Sequence, residues 1–341
     1  MACVASTACF APPRPRISRS ASSRKHVPSG ARCVVRTVIV ANARGDDKAT
    51  PEMIPETTNT RRETLVSAIA TAVFTGSVPL SIPGPAVAET NGKKIILVVG
   101  ATGATGRLVV DELRNRGDPD SQIVAAVRSA EKAKKLGVNK GDVSLLPNFD
   151  ITSDASILAE QMTNVDVAVV CTGFVPGNPF KMAAAAHAVD NEGVVHLVEA
   201  AKAAGVKRVV LISSILTDGR TMHAEDSPGF KITNAFGGVL DEKLVGERHL
   251  VDSGVEYTIV RPAGLRGEPP KSTLLISPGN VMSSGEVSRE LVAKVMAEAA
   301  FAPKAAGKIV ELAETGTFAA GYEPENVQQY LVGDDKTKWF K

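Results

Sequence analysis

From Lys94 onward the chain alternates short apolar runs with segments of helical period. Ile95 to Val99 is continuously apolar, as a strand buried on both faces should be. Arg107 to Arg116 then runs at helical spacing and offers Leu108, Val109 and Leu113 to one apolar face. Further strands are expected at Gln122–Val127, Val143–Leu146, Val165–Cys171, Arg208–Ser214 and Glu256–Val260. Helices are expected at Ala130–Leu136, Ala155–Met162, Lys181–Ala204 and Leu240–Val251. Such alternation makes right-handed βαβ units, so the expected fold class is α/β with a doubly wound parallel sheet. After Arg261-Pro262 the rhythm loosens. Gly264 to Gly285 is rich in Gly, Pro and Ser, followed by a helix over Ser288–Ala300 and a strand at Lys308–Leu312. The stretch after Pro262 is expected to add a small C-terminal substrate lobe. The tail, 321–341, is polar apart from Trp339-Phe340.

Between the first strand and the first helix stands Gly100-Ala-Thr-Gly103-Ala-Thr-Gly106. Strand, glycine turn and helix in that order make the dinucleotide-binding start of a Rossmann sheet. Glycine allows positive φ and a close approach of backbone to a pyrophosphate, and the free N–H groups of the helix N-terminus hold the anion. Gly100, Thr102, Gly103, Ala104, Thr105 and Gly106 are therefore candidate cofactor contacts. An NAD-preferring domain places an acid at the end of the second strand to bind the ribose 2′-OH. Here that strand ends in Arg128, whose planar fork suits a 2′-phosphate, and Arg107, at the start of the first helix, is expected to approach the same phosphate. NADP(H) is the expected cofactor, in preference to NAD(H). Thr172, at the end of the fourth strand, is expected along the cofactor, and Cys171 beside it as a packing residue.

Composition changes the picture of the N-terminus. Residues 1–45 hold eight Lys/Arg and no Asp or Glu among many Ser, Ala and Pro, the composition of an organelle transit peptide. Arg61-Arg62, the modest apolar stretch from Leu65 to Phe74, and Ala86-Val87-Ala88 resemble a twin-arginine export signal with its cleavage site. The domain plan is thus a bipartite targeting leader over 1–88, a nucleotide-binding domain over 93–320 and the tail. Chloroplast import is expected, with the thylakoid lumen as destination and the stroma as the alternative. The leader carries 11 basic and 5 acidic residues, which leaves 28 basic and 32 acidic in the remainder. Bulk charge after the leader gives no reason to expect a nucleic-acid partner. The apolar stretch is too short to span a bilayer. Three of the four cysteines, Cys3, Cys9 and Cys33, lie in the leader, so neither an internal disulfide nor a cysteine-based metal site is expected beyond it.

Three blocks in this order resemble the atypical short-chain dehydrogenase/reductases of the NmrA-like, NAD(P)H-binding type found in plastids. They are the turn Gly100–Gly106, the segment Asp190-Asn-Glu-Gly-Val-Val-His-Leu-Val-Glu-Ala-Ala leading into Arg208–Ser214, and Glu247-Arg-His-Leu-Val-Asp-Ser-Gly-Val-Glu-Tyr-Thr-Ile-Val-Arg-Pro. The resemblance runs from about Lys94 to Leu312. It implies an adenine contact at Asp150, a serine role for Ser213 or its neighbour Ser214, and a ribose-binding lysine at Lys243. In the conventional enzymes a tyrosine four residues before that lysine donates the proton, and the lysine lowers its pKa. Position 239 is Val, and the three tyrosines, Tyr257, Tyr322 and Tyr330, make no Tyr-x-x-x-Lys pair. Two readings stay open. One is an NADP(H)-dependent oxidoreductase acting on a small molecule, with Lys243, a water or His223 as proton donor. The other is a non-catalytic NADP(H) redox sensor or an assembly factor at a thylakoid complex.

Overall fold

The computed structural model divides into two units, 1–76 and 77–341. It describes residues 92–175, 177–330 and 335–340, all in the second unit. Both expected targeting signals lie outside the described residues.

The chain runs β1 (Lys94–Val99), α1 (Ala104–Arg116), β2 (Ser121–Ala126), α2 (Ala130–Lys135), β3 (Ser144–Leu146), α3 (Ala155–Gln161) and β4 (Val167–Val170). It continues with α4 (Met182–Ala186), a π-helical stretch His187–Glu192, α5 (Gly193–Ala204), β5 (Arg208–Ile212), α6 (Pro228–Asn234), α7 (Val239–Asp252) and β6 (Glu256–Pro262). The last part holds β7 (Gly264–Arg266), β8 (Leu274–Pro278), β9 (Glu286–Ser288), α8 (Arg289–Ala299), β10 (Lys308–Glu314) and β11 (Gln328–Tyr330).

Nine strands form one sheet in the order β11-β8-β10-β6-β5-β4-β1-β2-β3. From β3 to β10 all neighbours are parallel, and β8 is antiparallel to both β10 and β11. The α/β class with a doubly wound parallel sheet is thus the observed one. β1 shows why both faces are covered. Ile96 and Val98 enter one apolar core with Val109 and Leu113 of α1 and Leu291 and Val295 of α8. Ile95, Leu97 and Val99 enter the opposite core with Leu158 of α3, Leu197 and Val198 of α5 and Leu250 of α7. Period-2 alternation inside a fully apolar run feeds two layers at once. Strand order reverses between β1 and β4, and the crevice beyond the carboxyl ends at such a switch point is where this architecture binds ligands.

The structure departs from the sequence expectation in several places, the unexpected helix α6 among them. The expected helix over Lys181–Ala204 is broken into a 3-10 turn at Pro179–Lys181, α4, the π stretch and α5. The loose region after Pro262 contains three short strands. β7 and β9 form a separate parallel pair, while β8 joins the main sheet. The tail adds β11 to that sheet and buries Trp339 and Phe340.

Behind the carboxyl edge, Arg261 of β6 and Glu247 of α7 form a buried pair with bonds of 2.5 to 3.2 Å. Glu247 also accepts the Thr217 hydroxyl at 3.2 Å, which ties the loop after β5 to α7. Among the described residues no helix is long and apolar enough to cross a membrane.

Candidate functional site

The glycine turn is built by two contacts. Gly100 sits at φ +77°, and its carbonyl accepts the Gly103 N–H at 2.9 Å. A Cβ on Gly106 would lie 2.2 Å from the Gly100 carbonyl oxygen, so only glycine lets α1 start this close to the end of β1. Gly103 is the N-cap of α1 and provides no side-chain cap. The first N–H groups of α1 are therefore left for an anion. Thr105 is buried, Thr102 is half-buried and Ala104 is exposed at the mouth of the turn. A Cβ on Gly103 would meet only the Gly100 carbonyl, at 3.1 Å, so its other sides face open space.

The strand ends beside this turn carry the remaining candidates. Thr172, just past β4, touches the turn: its Cγ2 would lie 3.0 Å from a Cβ on Gly100. Its hydroxyl is buried and has no partner. Burial pushes the Cys171 thiol up to about 12, so it stays protonated and serves as packing. Ser213, just past β5, is 7% exposed and its hydroxyl also has no partner. Ser214 is half-buried, and its carbonyl accepts the Thr217 hydroxyl. Buried hydroxyls without partners are uncommon because each costs roughly 1–3 kcal/mol, and these two stand at neighbouring strand ends with their donor capacity unused.

Arg128 is exposed beyond the end of β2 and makes no hydrogen bond or ion pair among the described residues. Ser129 next to it caps α2 by accepting the Lys132 N–H at 3.3 Å. Asp150 closes a turn by accepting the Thr152 N–H at 3.1 Å and its hydroxyl at 2.9 Å. The N-cap of α3 is Asp154, so Asp150 is not a helix cap. Arg107 points along the outer side of α1 into a cavity that Arg128 does not line.

Lys243, in the second turn of α7, extends to the end of β4. A Cβ on Gly173 would lie 3.6 Å from its Nζ. Its partner is Asp190, at 2.8 Å, which the sequence reading passed over as a helix residue. The Asp190 side chain is 1% exposed, and its second oxygen accepts the Phe174 N–H at 3.0 Å. Asp190 belongs to the π stretch, a form that clusters at functional sites. Its signal in the sequence is an acid directly after the apolar Val189, four residues before Val194, in an amphipathic helix. Val239, one turn before Lys243, is buried. The Tyr322 hydroxyl is engaged by the Val281 carbonyl and the Ser283 N–H. His223 is exposed and lines a different cavity of about 590 Å³ with Thr221, Ser227, Asn280 and Ser283, to which Lys243, Asp190 and Ser213 do not contribute. Among the described residues no group of three or more His, Cys, Asp or Glu is placed to hold a metal.

The glycine cradle, the open helix terminus and the two orphaned hydroxyls fit a nicotinamide dinucleotide. Comparison with known proteins agrees. A sequence profile of the NAD(P)H-binding family matches residues 100–303. An uncharacterized chloroplastic protein of Arabidopsis thaliana is 40% identical over 225 residues, which cover 64% of this chain and 76% of that one. Sanguinarine reductase of Eschscholzia californica is 26% identical over 276 residues, covering 71% and 93%. Among solved structures, the oxidoreductase YlbE of Lactococcus lactis superposes with a TM-score of 0.54 at 24% identity, over 66% of this chain and 92% of that one, a likeness of fold. The chain belongs to the NAD(P)H-binding family.

Two glycine substitutions separate binding from folding. Gly103→Val fills open space in front of the turn, so it is expected to abolish NADPH binding in calorimetry while the thermal melt stays near that of the parent. Gly106→Ala drives a Cβ into the Gly100 carbonyl and is expected to lower the melting temperature as well. Normal cofactor binding by a folded Gly103→Val protein would place the site elsewhere.

Proposed function

We propose that this protein is an NADP(H)-dependent oxidoreductase acting on a small molecule in the chloroplast, in which an Asp190–Lys243 pair stands where the conventional enzymes use tyrosine and lysine. The observation that carries this reading is the Lys243 Nζ, fixed by a buried carboxylate beside Gly173, the residue that follows Thr172 and its orphaned hydroxyl. The name of sanguinarine reductase supports a reductase chemistry for the family, and the chloroplastic relative supports the compartment.

When bound, the cofactor supplies or accepts a hydride. The chain's own residues divide the remaining work. The N–H groups at the start of α1 and the turn from Gly100 to Gly106 would hold the pyrophosphate, with Thr102, Ala104 and Thr105 at its edges. Arg128 would take a 2′-phosphate and Asp150 would face the adenine. Thr172 and Lys243 would hold the nicotinamide half. Asp190 fixes Lys243 in one position. Ser213 holds a hydroxyl with nothing to donate to, which is the state expected of a group that bonds a substrate oxygen. Val239 favours a second reading, a redox sensor or thylakoid assembly factor that binds the cofactor without turnover.

Arg128→Glu is expected to weaken NADPH and spare NADH, because a charge-assisted phosphate contact contributes about 1.5–3 kcal/mol. Equal affinity of the parent for both cofactors in calorimetry would refute the preference.

Lys243→Ala is expected to weaken NADPH binding by about 1–3 kcal/mol. With substrate found by following NADPH oxidation against chloroplast extract fractions, turnover at saturating cofactor should fall too, since a group acting in the transition state lowers the rate constant itself. Asp190→Asn retains an acceptor for the Phe174 N–H and is expected to lower turnover more than binding. Binding without turnover on any fraction would favour the sensor, and a Lys243→Ala protein with unaltered binding would remove the lysine from the site.

The twin arginines and Ala86-Val87-Ala88 support export to the thylakoid lumen. Sequencing of the native N-terminus is expected to begin near Glu89. A start near residue 45, with stromal fractionation, would leave the protein in the stroma.

A further inference from the structure

A cavity of about 440 Å³ opens on the outer side of α1, and Ala104, Arg107, Asp111, Gly137, Gly267 and Arg289 contribute to its wall. Two of these are guanidinium groups from elements far apart in sequence, Arg107 from the first turn of α1 and Arg289 from the start of α8. Among the described residues neither is matched by an anion. The Arg107 Nε is buried and has no partner. Arg289 is half-buried and makes no hydrogen bond or ion pair among the described residues, and its Nη1 lies 4.0 Å from where a Cβ on Gly267 would sit. The one acid in the wall, Asp111, is already held by Arg114 at 2.7 Å. Lys140 adds a third cation near the rim: its Cε would lie 2.7 Å from a Cβ on Gly137.

Two guanidinium groups that share a cavity without a counter-ion repel one another. Each also offers N–H donors in a rigid fork. An anion that bridges them removes the repulsion and fills the empty donor positions. A carboxylate brings one charge and two oxygens, enough for one fork. A phosphate monoester brings nearly two charges and three oxygens, enough for both. We propose that Arg107 and Arg289 form a binding site for a phosphate monoester. Two sources carry this chemistry. One is a separate phosphorylated small molecule. The other is the 2′-phosphate of the cofactor, since Ala104, the first residue of α1, lines the cavity; this pair would then hold that phosphate in place of Arg128. Only the second source rests on the function proposed above.

The test uses the full chain in calorimetry with inorganic phosphate, 2′-AMP and NADH as probes, each with the parent, Arg107→Ala and Arg289→Ala. Both variants are expected to weaken inorganic phosphate or 2′-AMP by about tenfold or more, the loss of one charge-assisted contact. Both are expected to leave NADH unchanged and to melt like the parent. If inorganic phosphate still binds the parent saturated with NADP⁺, the site serves a separate ligand. If NADP⁺ excludes it and Arg289→Ala weakens NADPH but not NADH, the site reads the 2′-phosphate. Equal binding of phosphate and 2′-AMP by parent and variants, or no binding of either to the parent, would overturn the proposal. Failure of NADH to bind the parent would instead count against the cofactor reading, and the phosphate titration would still decide this site.

Discussion

The carboxylate of Asp190 is the constraint on which the candidate site depends. A buried carboxylate costs several kcal/mol unless its oxygens are satisfied. Here one oxygen takes the Lys243 ammonium and the other takes the Phe174 N–H. A single group therefore fixes the direction of the chain leaving β4 and the position of a side chain on α7. Bringing it there requires a locally wide helix, which the π stretch between α4 and α5 provides. It also requires α7 to come close: a Cβ on Gly246 would sit 2.9 Å from the Asp190 carbonyl oxygen. The wide turn and the glycine facing it are two halves of one packing solution, and the ion pair is what that solution delivers to the crevice.

A similar device organises the less regular part of the molecule. Glu311 and Glu314 of β10 are both fully buried. Glu311 accepts the N–H groups of Asn280, Val281 and Met282, and it lies 3.9 Å from Arg261. Glu314 accepts those of Lys271, Ser272 and Ser288 and pairs with Arg266 at 2.5 Å. Segments rich in Gly, Pro and Ser have few partners for their own backbone. Two buried acids on a regular strand take up those donors and place the start of α8, and with it Arg289, against α1.

These two devices explain what was legible in the sequence and what was not. β1, β2, β4, β5 and β6 lie within a residue or two of the expected strands, because continuous apolar runs between glycine turns and amphipathic helices have one reading in a parallel sheet. The turn from Gly100 to Gly106 was legible for a related reason: its spacing encodes a steric demand, and the 2.2 Å approach at Gly106 is that demand in atomic form. β7, β9 and β11 are three residues each and include Gly, Arg, Glu and Gln, so they carry no period to detect. The π stretch, His187-Ala-Val-Asp-Asn-Glu192, is made of residues that any helix accepts. Its width is set by what packs against it, Gly246 and the ion pair, and not by its own composition. Asp190 was therefore visible as a residue and invisible as a site.

The pair also changes what the missing tyrosine means. In the conventional arrangement the lysine cation faces a phenol and draws its pKa down, so the charge is spent on a proton donor. With Val239 in that position there is no phenol to act on, and the cation instead faces an anion at 2.8 Å. The lysine is held in place by that anion. In the proposed reaction the group left to meet a substrate is then the unpartnered hydroxyl of Ser213, a weak acid, with Thr172 and Lys243 on the nicotinamide half. Such a site relies on orientation more than on a tuned acid. Retaining the proposed ribose contact while dispensing with the phenol would make cofactor binding and turnover separable, so that an enzyme and a sensor could share the same carboxylate and lysine.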